Sequence, residues 1–239
     1  MDEERDPPPD AKDWKCEGTN TRKGQPMTTV SHPQAPPRFL LYGVSWETYV
    51  ALRDAPENYH VRMTYDRGDL EMMSPSKPHE QYARLLEQLI HAWTQELDVD
   101  IVSCGTMTCR RKDLKRGFEP DNCYYVEHEA QMRSKEELDL STDPPPDLAI
   151  EVEVSRGGRG KLKLYEAFGV PEAWRYDGKA IQVYQLGSEG RYASQTTSRA
   201  FPGFPFDEVE RVLSQIGTAS ETVLVKSFRR WVKAHAPAP

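Results

Sequence analysis

Acidic residues alternate through one apolar stretch of this sequence. In Asp147-Leu148-Ala149-Ile150-Glu151-Val152-Glu153-Val154 the carboxylates fall on odd positions, and Leu148, Ile150, Val152 and Val154 fall on even ones. Read as a strand, the segment turns its aliphatic residues to one face and Asp147, Ala149, Glu151 and Glu153 to the other. Like charges about 7 Å apart in a poorly hydrated site repel and resist ionisation, so that face calls for a cation. Mg²⁺ or Mn²⁺ suits such oxygen donors. If the strand-like run that begins at Asp121 pairs alongside, Asp121 and Glu151 become cross-strand neighbours that share one ion, with Glu153 one step along.

The chemistry available to that group is metal-assisted hydrolysis of a phosphodiester. The metal neutralises developing charge and activates water, and a positioned base or cation orients the water. Lys161, just after the turn that holds Gly157, Gly158 and Gly160, is suited to that task. Lys163 competes with it, although two residues further on it projects from another part of a helix surface. A plainer reading stays open: Glu151 and Glu153 as solubilising charges on an edge strand, Asp121 as a turn residue after Pro120. The sequence contains no P-loop, GxGxxG, GxSxG or HExxH motif.

The elements that must position these residues follow from periodicity. Residues 1–37 are polar and proline-rich, with hardly any periodic apolar residues, and are expected to form a disordered tail. Ser45 is placed to cap a short helix carrying Trp46, Tyr49, Val50 and Leu52. Residues 60–73 alternate around Asp66-Arg67-Gly68 as a hairpin. Beyond the breakers Pro75 and Pro78, a helix is expected over 79–97, its face marked by Tyr82, Leu85, Leu86, Leu89, Trp93 and Leu97. Strands are expected over 101–109, 121–126, 147–154, 173–176 and 181–186. A helix over 161–168 ends at Gly169-Val170-Pro171, and the C-terminal sequence is helical. Together these predict one α/β domain over 38–239 with a mixed central sheet flanked by helices.

Composition narrows the partners. The formal net charge of −7 gives no general support for binding phosphates, which relies on Lys and Arg. Locally, however, Arg110, Arg111, Lys112, Lys115 and Arg116 cluster just before Asp121, and a solvated loop is the competing reading. No run approaches the roughly 20 apolar residues of a membrane helix, and the N-terminus lacks the features of a signal peptide, so a soluble, cytoplasmic protein without a membrane partner is expected. Cys16, Cys104, Cys109 and Cys123 have neither zinc-site spacing nor disulfide density, and they are read as small, reduced residues without a function.

Several of these pieces together resemble the Uma-type restriction endonuclease family, within the PD-(D/E)XK nuclease superfamily. The resemblance lies in Phe118-Glu119-Pro120-Asp121, the acidic strand, Lys161 with Tyr165, and Gly169-Val170-Pro171-Glu172-Ala173-Trp174. Upstream it includes Ser45-Trp46-Glu47 with Tyr49, the hairpin at 65–71, and Met73-Ser74-Pro75 leading to His79-Glu80, so that it spans about residues 42–205. It implies a restriction-endonuclease-like mixed sheet, a Mg²⁺- or Mn²⁺-dependent endonuclease acting on DNA, and Asp121 and Glu151 as metal ligands. It also implies that the superfamily lysine, normally two residues after the glutamate, has moved to Lys161, since Glu153 stands in its usual place. Glu80, from the long helix, is implied as a further ligand, against its alternative as an acid favourable to the helix dipole. His79 is left outside the ligand set, as a neighbour of the helix cap. Asp69 stands where the family more often has Glu, which leaves that hairpin acid without an assigned role. The basic, glycine-rich turn at 156–160 reads as a flexible connection. A homodimer is kept as an expectation. The competing functions are an idle nuclease-like binding module and a metal-dependent hydrolase of a non-nucleic substrate.

Overall fold

Strand β1 (Arg38–Leu41) begins the chain as described by the computed structural model, which covers residues 38–154 and 160–235. The expectations for residues 1–37, Cys16 and the turn at 156–159 therefore lie outside the described residues. All the described residues belong to one compact unit, 33–239. Helix α1 (Trp46–Asp54) starts where expected, with Ser45 Oγ accepting from Thr48 N–H at 3.0 Å. The predicted hairpin is β2 (Arg62–Asp66) and β3 (Asp69–Met73), closed by Arg67 and Gly68, both at positive φ. Helix α2 (Lys77–Glu96) is capped by Ser76 and begins two residues earlier than periodicity indicates. Pro78 does not break it, because a proline in the first turn gives up an N–H that has no partner in the helix anyway.

The next segment departs from the single strand expected over 101–109. It forms β4 (Val102–Ser103) and β5 (Cys109–Arg111), which join different sheets. After these come β6 (Arg116–Phe118), β7 (Asn122–Tyr125), the short α3 (Glu129–Met132) and β8 (Leu148–Val152). Helix α4 (Leu162–Phe168) ends at Gly169 with φ 72°, followed by β9 (Glu172–Tyr176), β10 (Ile181–Leu186), β11 (Tyr192–Gln195), α5 (Phe206–Leu213) and α6 (Glu221–His235).

The strands form two sheets. One runs β11-β10-β9-β8-β7-β4 and is mixed, since β8 and β9 are parallel across the α4 connection while its other pairings are antiparallel. The expected mixed α/β architecture is therefore present. The second sheet, β1-β3-β2-β6-β5, is wholly antiparallel and goes beyond that expectation. Because β8 lies between β7 and β9, its acids are not edge-strand charges.

The two faces of β8 divide the interior. Leu148, Ile150 and Val152 pack into the larger core with α2, α5 and α6, whereas Ala149 joins a core with Leu164, Tyr165 and Phe168 of α4. Phe118 of β6 reaches into the second core, edge-on to Tyr165 at 4.7 Å and to Phe168 at 4.8 Å, which fastens the second sheet to α4. On that sheet's other side α1 packs through Trp46 and Tyr49. Gly117 is required there, because a Cβ would lie 2.2 Å from Tyr49 Oη.

Candidate active site

The segment Glu119-Pro120-Asp121 carries the chain from the second sheet, at β6, to the mixed sheet, at β7. Glu119 is buried, and its carboxylate accepts from Arg53 Nη1 at 3.2 Å, Met63 N–H at 3.1 Å and Thr108 Oγ1 at 2.8 Å. These bonds fix the crossing. The β7–β8 ladder pairs Asn122 with Ile150 and Cys123 with Ala149, and just before it Asp121 N–H donates to the Ile150 carbonyl at 3.0 Å, which sets Asp121 at the start of β7 beside Glu151 of β8. Both carboxylates line the same cleft.

Both are almost withdrawn from water, at 5% exposure for Asp121 and 7% for Glu151. Asp121 Oδ2 accepts from Val152 N–H at 2.8 Å and lies 3.1 Å from His79 Nε2. Burial pushes the Asp121 carboxyl up, but the His79 hydrogen bond, the Lys161 charge and the Val152 N–H together hold it below the usual aspartate range. Glu151 Oε2 is 2.9 Å from Lys161 Nζ, and its Oε1 accepts from Tyr165 Oη. For this carboxylate burial prevails: with Asp121 beside it, Glu151 is pushed up to about 8 despite the attraction of Lys161. Lys161 also donates to the Glu119 carbonyl at 2.6 Å. Burial alone would lower its pKa, yet Glu151 and Asp121 raise it above the ordinary lysine value.

Lys161 sits at the N-cap of α4 and Tyr165 one turn later on the same face, which is why both reach Glu151. Lys163 faces a separate cleft with Thr64, Asp66 and Asp69, so it is Lys161 that the fold brings to the carboxylates. Glu153 borders the site, with its carboxylate tied to Arg175 at 2.7 Å. Glu80 does not join the group. Its side chain is 39% exposed and lies 4.0 Å from Arg62 and 3.8 Å from His79 Nδ1. Helix α2 instead contributes His79, which sequence reasoning set aside. The signal was the apolar stripe: counting back from Trp93 through Leu89, Leu86 and Tyr82 in steps of three and four leads to His79, not to Glu80.

Asp121, Glu151, Lys161 and His79 line a cleft of about 30 Å³, closed on the other side by Arg38, Arg62, Thr64 and Glu71 of the second sheet. Burial, with the Asp121 carboxylate beside it, disfavours the charged form of Glu151. A divalent cation acts in the opposite sense. Among the described residues no three His, Cys, Asp or Glu side chains stand together as a ready metal cage. The donor set still fits Mg²⁺, which keeps several waters and is bound through one or two carboxylates plus substrate phosphate oxygens.

Two sheets, a buried carboxylate pair on facing strands and a lysine from the next helix define a restriction-endonuclease-like class of protein. The family model of Uma2, whose description is "Putative restriction endonuclease", matches residues 46–216, and the chain belongs to that family. Among solved structures, the chain is similar to a protein from Anabaena variabilis ATCC 29413 described as a "putative nuclease belonging to DUF820". The identity is 12%, the match covers 77% of this chain and 99% of that one, and the TM-score is 0.46. No curated protein matches the chain. No described helix is long and apolar enough to cross a membrane.

Proposed function

We propose that this protein is a Mg²⁺- or Mn²⁺-dependent endonuclease that hydrolyses DNA phosphodiester bonds, with Asp121 and Glu151 as the carboxylates that hold the ion. The observation that carries the reading is that Asp121, Glu151 and Lys161 line one cleft, with Lys161 Nζ 2.9 Å from Glu151. When bound, the ion supplies charge neutralisation at the phosphate and a more acidic water.

The chain's own residues divide the remaining work. Lys161 keeps its proton near neutral pH, so it acts as a fixed cation that orients water and balances charge, not as the general base. The Glu119 carbonyl holds that ammonium in place, and Tyr165 fixes the other Glu151 oxygen. His79 orients Asp121 from α2. Glu153 contributes negative charge at the cleft border, moderated by Arg175. Of the two neighbours on α2, the geometry supports His79 over Glu80 as the helix's contribution. An idle binding module would have no use for a lysine tethered between a carboxylate and a backbone carbonyl.

Incubation of supercoiled plasmid with the full chain in Mg²⁺ or Mn²⁺ tests the reading. Nicking or linearisation is expected with wild type and absent with Asp121→Asn. Cleavage retained by a purified Asp121→Asn protein would overturn the assignment.

A further inference from the structure

The basic run at 110–116 has a use outside the catalytic cleft. Three of its cations are committed to acids: Arg110 to Asp54 at 2.6 Å, Arg111 to Asp113 at 2.6 Å and Arg116 to Asp66 at 2.8 Å. Lys112 and Lys115 have no ion-pair partner among the described residues, and both are exposed. The β2–β6 pairing brings this turn against the tip of the β2–β3 hairpin, where Arg67 N–H donates to the Lys115 carbonyl at 2.9 Å. Arg67, Lys112 and Lys115 consequently line one pocket of about 320 Å³ with Trp46 and Tyr65 as its aromatic wall and Glu47 as its acid. Arg67 touches Asp66 at 3.1 Å, but its side chain is 65% exposed, and an ion pair so exposed is weak.

The backbone adds an independent observation. Arg67 and Lys115 both adopt φ 49°, in the left-handed region where glycine or asparagine is the usual choice. Two long cationic side chains thus occupy strained turn positions that face the same pocket.

We infer that the paired tips of the β2–β3 and β5–β6 hairpins form a second binding site, in which Arg67, Lys112 and Lys115 hold the phosphodiester backbone of duplex DNA. The choice of duplex DNA as ligand rests on the nuclease reading. The site itself is distinct from the cleft, since Arg62 and Thr64 line the cleft from one face of β2 while Tyr65, on the opposite face, lines the hairpin-tip pocket. Cations outside the cleft supply affinity and orientation without sequence information.

The test is fluorescence anisotropy of a labelled 20-base-pair duplex with the full chain in chelator, over a series of salt concentrations, paired with melting curves. In a variant carrying Arg67→Gly, Lys112→Ala and Lys115→Gly, affinity should fall roughly tenfold or more, and the slope of log affinity against log salt should become shallower by about two to three. Its melting temperature should be no lower than wild type, because glycine relieves both left-handed turns. That combination separates a ligand site from a merely structural loop. Equal affinity and salt slope in wild type and variant would overturn the inference and leave the nuclease reading standing. A wild-type chain that fails to bind the duplex even at 50 mM salt would overturn it as well, and plasmid cleavage then judges the catalytic reading separately.

Discussion

Replacing Glu151 by Gln tests the electrostatics of the site without substrate or metal. An ordinary glutamate titrates at 4.5, and burial beside Asp121 pushes Glu151 up to about 8. The folded protein therefore binds this proton more tightly than the unfolded chain does. The stabilisation from that proton is fully present below about pH 4.5 and is lost as pH rises through about 8. From these two values, keeping Glu151 in place costs about 2 kcal/mol at pH 6 and about 5 kcal/mol at pH 8.5. Gln carries no such pH-dependent cost, and whatever its amide gains or loses in packing is the same at both pH values. The stability of Glu151→Gln relative to wild type should consequently increase by about 2–3 kcal/mol between pH 6 and pH 8.5, a relative rise of roughly 5–10 °C in melting temperature. In the wild type Glu151 and Asp121 hold Lys161 above the ordinary lysine value, and in Glu151→Gln the Asp121 charge remains to favour the ammonium. Urea and thermal unfolding of both proteins in chelator at the two pH values supply the measurement. A difference between mutant and wild type that is the same at pH 6 and pH 8.5 would refute the argument that burial holds a proton on Glu151.

Metal binding should release that proton, so the Mn²⁺ affinity of the wild type, followed by calorimetry, should increase with pH up to about 8; an affinity flat from pH 6 to 8.5 would count against Glu151 as a ligand. At a Mn²⁺ concentration tenfold above the dissociation constant the wild type should gain about 1.4 kcal/mol, seen as a few degrees in melting temperature, and Asp121→Asn should lose that gain. Equal metal responses in the two proteins would remove Asp121 from the site. Lys161→Ala should lower plasmid cleavage by about a hundredfold or more, with little change in Lys163→Ala, and the reverse ranking would transfer the role to Lys163. His79→Ala should weaken the Mn²⁺-induced thermal shift, His79→Gln should restore part of it by replacing the donor to Asp121, and Glu80→Gln should resemble wild type; a Glu80 effect larger than that of His79 would reverse the assignment on α2.

Those features of the site that depend on local periodicity were legible in the sequence. The alternation of Leu148, Ile150 and Val152 with Ala149 and Glu151 gives the two faces of β8 directly, and the spacing from Lys161 to Tyr165 puts both on one side of α4. What escaped is long-range. A period of two tells which face of a strand a residue occupies but not which sheet the strand joins, so residues 101–109 read as one strand although β4 and β5 separate into different sheets. The second sheet depends on β1 pairing with β3 and on β2 pairing with β6, neither of which leaves a local mark. Gly117 looks like an ordinary strand glycine until Tyr49 is found against it. His79 reads as a neighbour of the helix cap because its place in the first turn of α2 is local, whereas its approach to Asp121 is long-range, although the stripe of α2 already points inward at 79.

The exchange of positions between acid and base around β8 has a structural reason. At position 153, where a lysine two residues beyond Glu151 would stand, Glu153 meets Arg175 from the parallel neighbour β9, so this place on the sheet already holds a balanced pair. The cation for Glu151 comes instead from the start of α4, and its Nζ has a second tether in the Glu119 carbonyl. That carbonyl belongs to the segment that crosses between the sheets and is itself locked by Arg53, Met63 and Thr108. Lys161 therefore reports the position of both sheets at once, whereas a lysine on β8 would depend on the mixed sheet alone. The second sheet is in this way part of the frame of the cleft: it closes the cleft through Arg38 and Arg62, anchors the lysine through Glu119, and extends to the basic hairpin tips.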